Sequence, residues 1–111
     1  MAQPLDLSFE ATGAGEPLLI LHGLFGSGTN WRGIARELAK GARVFTVDLR
    51  NHGASPWADS MSYLEMAHDV HAMISAEGLQ RPTVVGHSMG GKTAMALALL
   101  HPQAVGRLVV V

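Results

Sequence analysis

The chain has 111 residues, of which 48% are hydrophobic, and a formal net charge of −1 at pH 7. This length fits a single globular unit, and the near-neutral charge gives no indication of nucleic acid or an anionic membrane as a partner. Cysteine is absent, which excludes disulfide scaffolds and thiolate metal sites and is compatible with the cytoplasmic location that we expect. No apolar run approaches the roughly 20 residues of a membrane span, and segment 1–10 has no basic residue of the kind found in a secretory signal.

Two strands are predicted at the start of the chain. Apolar and polar residues alternate over 5–11, which is the period of a half-buried strand. After a glycine-containing turn, the continuous apolar run 18–21 predicts a strand buried on both faces. The segment 22–28, HGLFGSG, contains too much glycine for the interior of a helix or strand. We therefore expect a loop at the carboxyl end of this second strand.

A helix and a further strand are predicted next. Thr29 or Asn30 is the expected cap of a helix that ends at Gly41. The apolar residues of this helix fall on one face: Trp31, Ile34, Ala35 and Leu38. Residues 43–47 predict a strand, and the polar turn 48–56 follows it. This turn is expected at the same edge of the sheet as the glycine-rich loop.

The remaining elements continue the alternation of helix and strand. Ser62 and Glu65 have the spacing of a capping box, which starts a helix that continues to Gly78. Strands are predicted at 82–85 and 108–111, separated by a helix that ends near His101. Strands that alternate with helices predict an α/β fold, with a mostly parallel sheet and helices on both faces.

The pentapeptide GHSMG lies between the predicted strand at 82–85 and the following helix. This is the context of a nucleophile elbow, in which a serine stands on a sharp strand-to-helix turn. The serine must adopt a strained backbone conformation, and a Cβ at Gly86 or Gly90 would clash with nearby backbone. The helix directs its first N–H groups at Ser88, where negative charge develops during acyl transfer. We interpret Ser88 as the catalytic nucleophile.

Acyl transfer also requires two N–H groups that stabilise the oxyanion. One follows the nucleophile and is assigned to Met89, and the other comes from the glycine-rich loop. We assign the second donor to Leu24, with Phe25 as the alternative. Phe25 and His87 are also candidates for contact with the substrate, although His87 could equally serve to pack the elbow. Loss of one oxyanion donor typically costs about 3 kcal/mol of transition-state stabilisation.

Several motifs occur in a characteristic order: LHGLFGSGTNW, VFTVDLRNHGASP, MSY, VVGHSMGGKTAMALAL, HP and RLVVV. In this order the chain resembles the α/β-hydrolase superfamily, and most of all the small esterase and acyl-CoA thioesterase branch with GHSMGGK at the elbow. The resemblance covers nearly the whole chain and implies an eight-stranded, mostly parallel sheet with a Ser-Asp-His triad. Ser88 takes the position of the nucleophile, and Leu24 and Met89 take those of the oxyanion donors. Related branches with similar elbows split C–C bonds or eliminate leaving groups.

The chain departs from this pattern after the serine. In this fold the acid and the histidine follow the nucleophile, but no Asp or Glu follows Ser88, and His101 is the only later histidine. We therefore expect residues 1–111 to be the N-terminal part of a single α/β-hydrolase domain that ends after the strand following the nucleophile helix. The parent protein is expected to hydrolyse short acyl esters or thioesters through an acyl-enzyme at Ser88, with no cofactor. The alternatives are a C–C bond hydrolase or lyase, and a non-catalytic fragment or interaction module.

Two further expectations follow for residues 1–111 on their own. Without a general base they are expected to be inactive. The apolar strand 108–111 is internal in the resembled fold, so its free edge is expected to cause self-association.

Other polar residues have simpler interpretations. His22 and Asp48 precede the serine, so we expect them to organise the backbone and a turn by hydrogen bonding and not to serve as base and acid. His52 either contacts the substrate or lies in a solvated turn. His68 and His71 are three residues apart on a predicted helix, but no further ligand is evident, so no metal site is expected.

Overall fold

The computed structural model describes residues 3–111, and its strands form one sheet. In chain order the strands are β1 (Phe9–Thr12), β2 (Pro17–Leu21), β3 (Arg43–Val47), β4 (Thr83–Gly86) and β5 (Arg107–Val110). The α-helices are α1 (Arg32–Leu38), α2 (Tyr63–Ala76) and α3 (Met89–Leu100). Two short 3₁₀ turns, Gly28–Trp31 and Pro102–Ala104, precede α1 and follow α3. The predicted alternation of helix and strand is confirmed, and β3 has the predicted bounds.

The strand order across the sheet is β1-β3-β2-β4-β5. Strand β1 runs antiparallel to β3, whereas β2, β3, β4 and β5 pair in parallel. The carboxyl ends of the parallel strands therefore meet at one edge, where ligands bind in open α/β folds. The loops after β2, β3 and β4 all leave from this edge.

The two central strands are buried on both faces. The described residues form two hydrophobic clusters, one on each face of the sheet. Leu19, Leu21 and Phe45 belong to the larger one, which also contains apolar residues of α2 and α3. Ile20 and Val44 point to the opposite face and pack with α1 through Ala35. Because successive side chains of a strand point to opposite faces, the apolar runs of β2 and β3 supply both cores. The prediction of a strand buried on both faces is confirmed.

The prediction of a first strand over 5–11 is wrong in its extent. Regular pairing with β3 begins only at Phe9. Before it, the Leu5 N–H donates to Asp69 Oδ1 at 2.8 Å, and the Ser8 N–H donates to Ser55 Oγ at 2.8 Å. Side chains from distant parts of the chain thus replace the ladder hydrogen bonds of the predicted strand. Leu7 is nevertheless buried, as the alternation implies.

The predicted start of the first helix also needs correction. Thr29 and Asn30 lie inside the 3₁₀ turn that precedes α1, and neither is its cap. Asn30 Oδ1 accepts a hydrogen bond from the Ser27 N–H at 2.8 Å, so the side chain folds back over the start of the turn. An Asn can satisfy free N–H groups in this way from within the first turn as well as from the cap position.

The predicted capping box at the start of α2 is confirmed. The Glu65 N–H donates to Ser62 Oγ at 3.1 Å, and the Ser62 N–H donates to Glu65 Oε1 at 3.1 Å. The Ser60 hydroxyl also donates to Glu65 Oε2, at 2.6 Å. These hydrogen bonds, that from Ser60 foremost, lower the pKa of Glu65 to about 2. The carboxylate is therefore ionised throughout the neutral range.

Strand β5 lies at one edge of the sheet that residues 3–111 form. It pairs with β4, and its other edge has no strand partner among residues 3–111. The side chains of Leu108 and Val111 are 40% and 67% exposed. An open apolar edge of this kind favours association, and self-association through it remains a prediction. None of the helices in residues 3–111 is both long and apolar enough to cross a bilayer.

Three histidines meet where α2 packs against the end of α3. The His71 and His101 rings are stacked with centroids 3.7 Å apart, and the His68 ring lies edge-on to His101 at 5.4 Å. His68 Nε2 and His101 Nε2 are buried without a hydrogen-bond partner in the described part of the chain. Within residues 3–111, no group of three or more His, Asp or Glu side chains has an arrangement that could hold a metal ion.

This cluster predicts a loss of stability in acid. Burial and the neighbouring His71 and His68 lower the pKa of His101 below 6.5. The unfolded chain therefore binds a proton at a higher pH than the folded one, so the free energy of unfolding falls as the pH drops below 6.5. His101→Asn should reduce this fall while leaving stability at higher pH less affected. Urea unfolding of both proteins across the acid range measures it, and identical pH profiles would contradict the prediction.

Candidate active site

Ser88 occupies a sharp turn between β4 and α3. Its backbone angles are φ 54° and ψ −113°, outside the regions that residues with a Cβ normally adopt. The residue is exposed, so its hydroxyl is accessible from solvent. The strained serine predicted from GHSMG is therefore present at the carboxyl edge of the sheet.

The two glycines that flank Ser88 are required by close backbone contacts. A Cβ on Gly86 would fall well within 3.0 Å of the Gly90 carbonyl oxygen, and a Cβ on Gly90 would collide in the same way with the Leu21 carbonyl oxygen. These neighbours are backbone atoms, which cannot move aside without shifting a strand or helix. Glycine at both positions is therefore what allows the turn to close against the end of β2.

The loop after β2 lies directly beside this turn. The His87 N–H donates to the Leu21 carbonyl oxygen at 3.0 Å, which continues the pairing of β4 with β2. A Cβ on Gly23 would be 3.1 Å from His87 Nδ1, so the loop backbone and the histidine ring are in close contact. The glycine-rich loop thus begins next to the residue that precedes Ser88, as the oxyanion interpretation requires.

His22 organises the backbone of this loop. Its Nε2 accepts a hydrogen bond from the Leu49 N–H at 3.0 Å, so Nδ1 carries the proton and donates to the Gly23 carbonyl oxygen at 2.7 Å. The ring is fully buried, and burial lowers its pKa below 6.5. His22 is therefore a neutral cross-link between two loops, which agrees with the predicted role.

Asp48 also has the turn-organising role predicted for it. Its Oδ1 accepts from the Gly28 N–H at 2.7 Å, and its Oδ2 accepts from the Ala54 N–H at 3.0 Å. Gly53, with φ 52°, packs so closely against the carboxylate that a Cβ there would overlap it. Asp48 thus holds together the loops after β2 and β3, and both of its carboxylate oxygens are engaged.

Phe25, the alternative to Leu24 as the loop donor, already has a partner for its N–H. Phe25 has φ 62°, and its N–H donates to His52 Nε2 at 3.0 Å. That N–H is engaged in the structure. The Phe25 side chain is 91% exposed at the rim of the site, a position suited to contact with a ligand.

His52 does not lie in a solvated turn, as one of the two interpretations supposed. It is only 7% exposed, and both ring nitrogens have backbone partners, Phe25 N and Arg50 O. Its ring centroid is 5.0 Å from that of His22. The polar composition of segment 48–56 suggested a surface turn, whereas the imidazole in fact connects two loops.

Two clefts flank the glycine-rich loop, and Leu24 and Gly26 line both. One cleft has a volume of about 310 Å³, and His87 and Trp31 form part of its wall with ring centroids 5.7 Å apart. A second cleft, of about 410 Å³, lies towards the loop after β3 and is lined by Phe25, His52 and Trp57 among others. Phe25 and His87 thus border different clefts at the same edge.

A buried ion pair anchors the loop after β3 to α2. Arg50 Nε and Nη2 donate to Asp69 Oδ2 and Oδ1 at 2.7 and 3.0 Å. Arg50 is 4% exposed and Asp69 is fully buried. This pair was not predicted from the sequence. The available signal was an aspartate between buried positions on α2, where an acidic side chain needs a partner.

The model of the family described as alpha/beta hydrolase fold matches residues 16–111, which is most of the chain. The chain belongs to the α/β-hydrolase family. This confirms the resemblance drawn from the motifs, and the parallel sheet with helices on both faces agrees with it.

Relatives within the α/β-hydrolase family include ester-cleaving enzymes. The mouse protein "sn-1-specific diacylglycerol lipase ABHD11" is 47% identical over 114 residues, covering 98% of this chain and 37% of the relative. The Escherichia coli protein "Esterase YbfF" is 41% identical over 95 residues, covering 86% of this chain and 37% of the relative. A solved structure described as "Marine microorganism esterase" has a TM-score of 0.94 and 52% identity, covering 96% of this chain and 41% of that chain.

The chain spans a little more than a third of the length of these curated relatives. It carries the elbow, the glycine-rich loop and the sheet edge between them. Within residues 3–111, no histidine other than His101 follows Ser88, and His101 lies at the opposite end of α3. The described residues therefore place the elbow serine beside the glycine-rich loop, with His101 at the far end of α3.

Proposed function

We propose that residues 1–111 form the nucleophile-bearing part of a serine hydrolase that cleaves short acyl esters or thioesters. The observation that carries the proposal is the strained Ser88 at the start of α3, beside the loop that contains Leu24. The similarity to proteins named as lipases and esterases supports ester cleavage. We further propose that the acid and the base of the triad are supplied by the whole enzyme beyond these residues.

The proposed reaction has two stages. Ser88 Oγ attacks the acyl carbonyl carbon while its proton passes to the histidine base, and the leaving alcohol or thiol then departs with that proton. Water attacks the acyl-serine in the same way and releases the acid. In each stage the carbonyl oxygen becomes an oxyanion that accepts hydrogen bonds from the Met89 and Leu24 N–H groups. The first N–H groups of α3 have no intrahelical acceptor, so Met89 N–H is suited to this role.

The assignment of Leu24 over Phe25 is part of the proposal. The Phe25 N–H already donates to His52, and its use would require that hydrogen bond to break first. Leu24 N–H lies in the peptide group whose carbonyl, that of Gly23, is fixed by His22. Phe25 and His87 are proposed as substrate contacts from the two clefts.

Residues 1–111 on their own are proposed to be catalytically inactive. The oxyanion donors and binding alone leave a background of about 10³ to 10⁴ over the uncatalysed reaction, far below that of a complete triad. The alternative chemistry for the whole enzyme is C–C bond cleavage or elimination, in which the serine assists proton transfer. That alternative involves no acyl-serine formed from a simple ester.

The experiment that tests the proposal is rapid mixing of the whole enzyme with a p-nitrophenyl ester and with the matching acyl thioester. We expect a burst of p-nitrophenol and an acyl group recovered on the peptide that contains Ser88. Residues 1–111 produced alone provide the matched control and should show neither. Turnover without a burst and without acyl-Ser88 would overturn the proposal and favour the alternative chemistry.

A further inference from the structure

The hydrogen bonds of His52 determine its tautomer. Because the Phe25 N–H donates to Nε2, that nitrogen is unprotonated, and Nδ1 carries the proton and donates to the Arg50 carbonyl oxygen at 2.9 Å. The His52 ring is thus held in place by Arg50, whose side chain is itself fixed by the buried Asp69. A neutral ring with both nitrogens bonded is a rigid link between the loops after β2 and β3.

The two imidazoles hold the backbone on both sides of Leu24. His22 Nδ1–H donates to the Gly23 carbonyl oxygen, in the peptide group that contains the Leu24 N–H. His52 Nε2 accepts from the Phe25 N–H, in the peptide group that contains the Leu24 carbonyl. Because each peptide group is planar and trans, holding one of its polar atoms fixes the direction of the other. The His22 contact therefore sets the direction of Leu24 N–H, and the His52 contact fixes the next peptide group, so the backbone is held on both sides of Leu24.

The His52 contact also maintains an unfavourable conformation. Phe25 has φ 62°, a left-handed conformation that is unfavourable for a residue with a Cβ. Its side chain is 91% exposed, so apolar packing does little to hold it there. Without the acceptor on His52, the peptide between Leu24 and Phe25 is free to rotate towards a more favourable conformation. Such a rotation releases the backbone after Leu24, so the loop donor is then held from one side only.

We propose that His52 is a positioning residue for the oxyanion site. Its hydrogen bond with the Phe25 N–H leaves Leu24 N–H as the free donor of the loop. The same hydrogen bond helps to hold Leu24 in the position that the oxyanion requires. This role deepens the proposed function and rests on it. His52 acts through the loop backbone and does not itself touch the reacting atoms.

Two substitutions separate this role from a general structural one. In His52→Gln the amide oxygen can take the place of Nε2 and accept from Phe25, whereas the contact with Arg50 is lost. In His52→Asn the shorter amide can take the place of Nδ1 and donate to Arg50, whereas the contact with Phe25 is lost. Each variant thus keeps one of the two hydrogen bonds. If His52 served only to anchor the loop after β3 through Arg50, His52→Asn would retain more activity than His52→Gln.

The measurement is made on the whole enzyme with a p-nitrophenyl ester. We expect His52→Asn to lower kcat by about 10²-fold with KM little changed, because a misplaced donor weakens only the transition state. His52→Gln should retain most of kcat. The affinity for a boronic acid, which carries an oxyanion when bound to the serine, should fall by the same factor as kcat in His52→Asn. Equal kcat losses in the two variants, or an unchanged boronate affinity in His52→Asn, would overturn the inference.

A second measurement needs no variant. The ¹⁵N chemical shifts of His52 in the unmodified enzyme should show Nδ1 protonated and Nε2 unprotonated, and the opposite tautomer would overturn the inference even where His52→Asn fails to fold. The burst experiment distinguishes a failure of the proposed function from a failure of the role inferred for His52. If no acyl-Ser88 forms in the unmodified enzyme, the proposed function fails. If it forms and the two variants behave alike, only the role of His52 fails.

Discussion

Ser88→Ala in the whole enzyme is expected to lower turnover of short acyl esters by about 10⁶-fold, because the nucleophile acts as a unit with its base. The fold should be retained. The alanine Cβ occupies the place of the serine Cβ at φ 54°, so the backbone strain stays the same. Steady-state kinetics with a p-nitrophenyl ester measures the loss. Activity above about a hundredth of the original would place the nucleophile elsewhere.

Ser88→Gly is the matched control that separates strain from chemistry. It should be equally inactive, but glycine adopts positive φ without steric cost. Relief of the strain stabilises the folded state by about 1 to 3 kcal/mol, and the entropy that glycine adds to the unfolded chain offsets part of this. We therefore expect a net gain of about 1 kcal/mol in the free energy of unfolding. Urea unfolding of the two variants compares them. A glycine variant no more stable than the alanine variant would show that residue 88 is unstrained.

Asp69→Ala is expected to be the most destabilising substitution in this part of the chain. It removes the bidentate partner of the buried Arg50 guanidinium, which then has only Glu65 Oε2, at 3.3 Å, as a carboxylate partner among the described residues, and it removes the acceptor of the Leu5 N–H. Breaking a buried pair in this way typically costs about 3 to 5 kcal/mol. The loop after β3 should loosen with it, since Arg50 anchors that loop to α2. Urea unfolding of the whole enzyme gives the magnitude.

An exposed ion pair provides the control for this prediction. Arg32 and Glu10 also pair, but their side chains are 53% and 58% exposed. Glu10→Gln should therefore change the free energy of unfolding by less than about 1 kcal/mol. The double substitution Arg50→Met with Asp69→Leu should recover part of the loss, because it removes both buried charges. Comparable effects of Asp69→Ala and Glu10→Gln would contradict the account of the buried pair.

Local sequence patterns were sufficient for most of the fold. The apolar run of β3 predicted its bounds, and the spacing of Ser62 and Glu65 predicted the start of α2. The elbow was predictable because its requirements lie within five consecutive residues. The two glycines and the strained serine depend on backbone geometry that few other sequences satisfy.

The features that were missed depend on residues far apart in the chain. The first strand is shorter than its alternation predicts because Asp69, 64 residues away, accepts from the Leu5 N–H. For His52 the sequence left substrate contact and a solvated turn as alternatives, because its partner Phe25 is 27 residues away. Local periodicity reports which face of an element is apolar, but it does not report which backbone N–H a distant polar side chain will satisfy.

In the proposed mechanism, Ser88 Oγ stands at the sheet edge with the Leu24 and Met89 N–H groups directed at one oxyanion position. A crystal structure of the whole enzyme inactivated by a serine-directed phosphonate tests it most directly. We expect phosphorus bonded to Ser88 Oγ, with one phosphonyl oxygen about 2.7 to 3.1 Å from both N–H nitrogens. Phosphorus on another residue, or a phosphonyl oxygen turned away from both N–H groups, would contradict it.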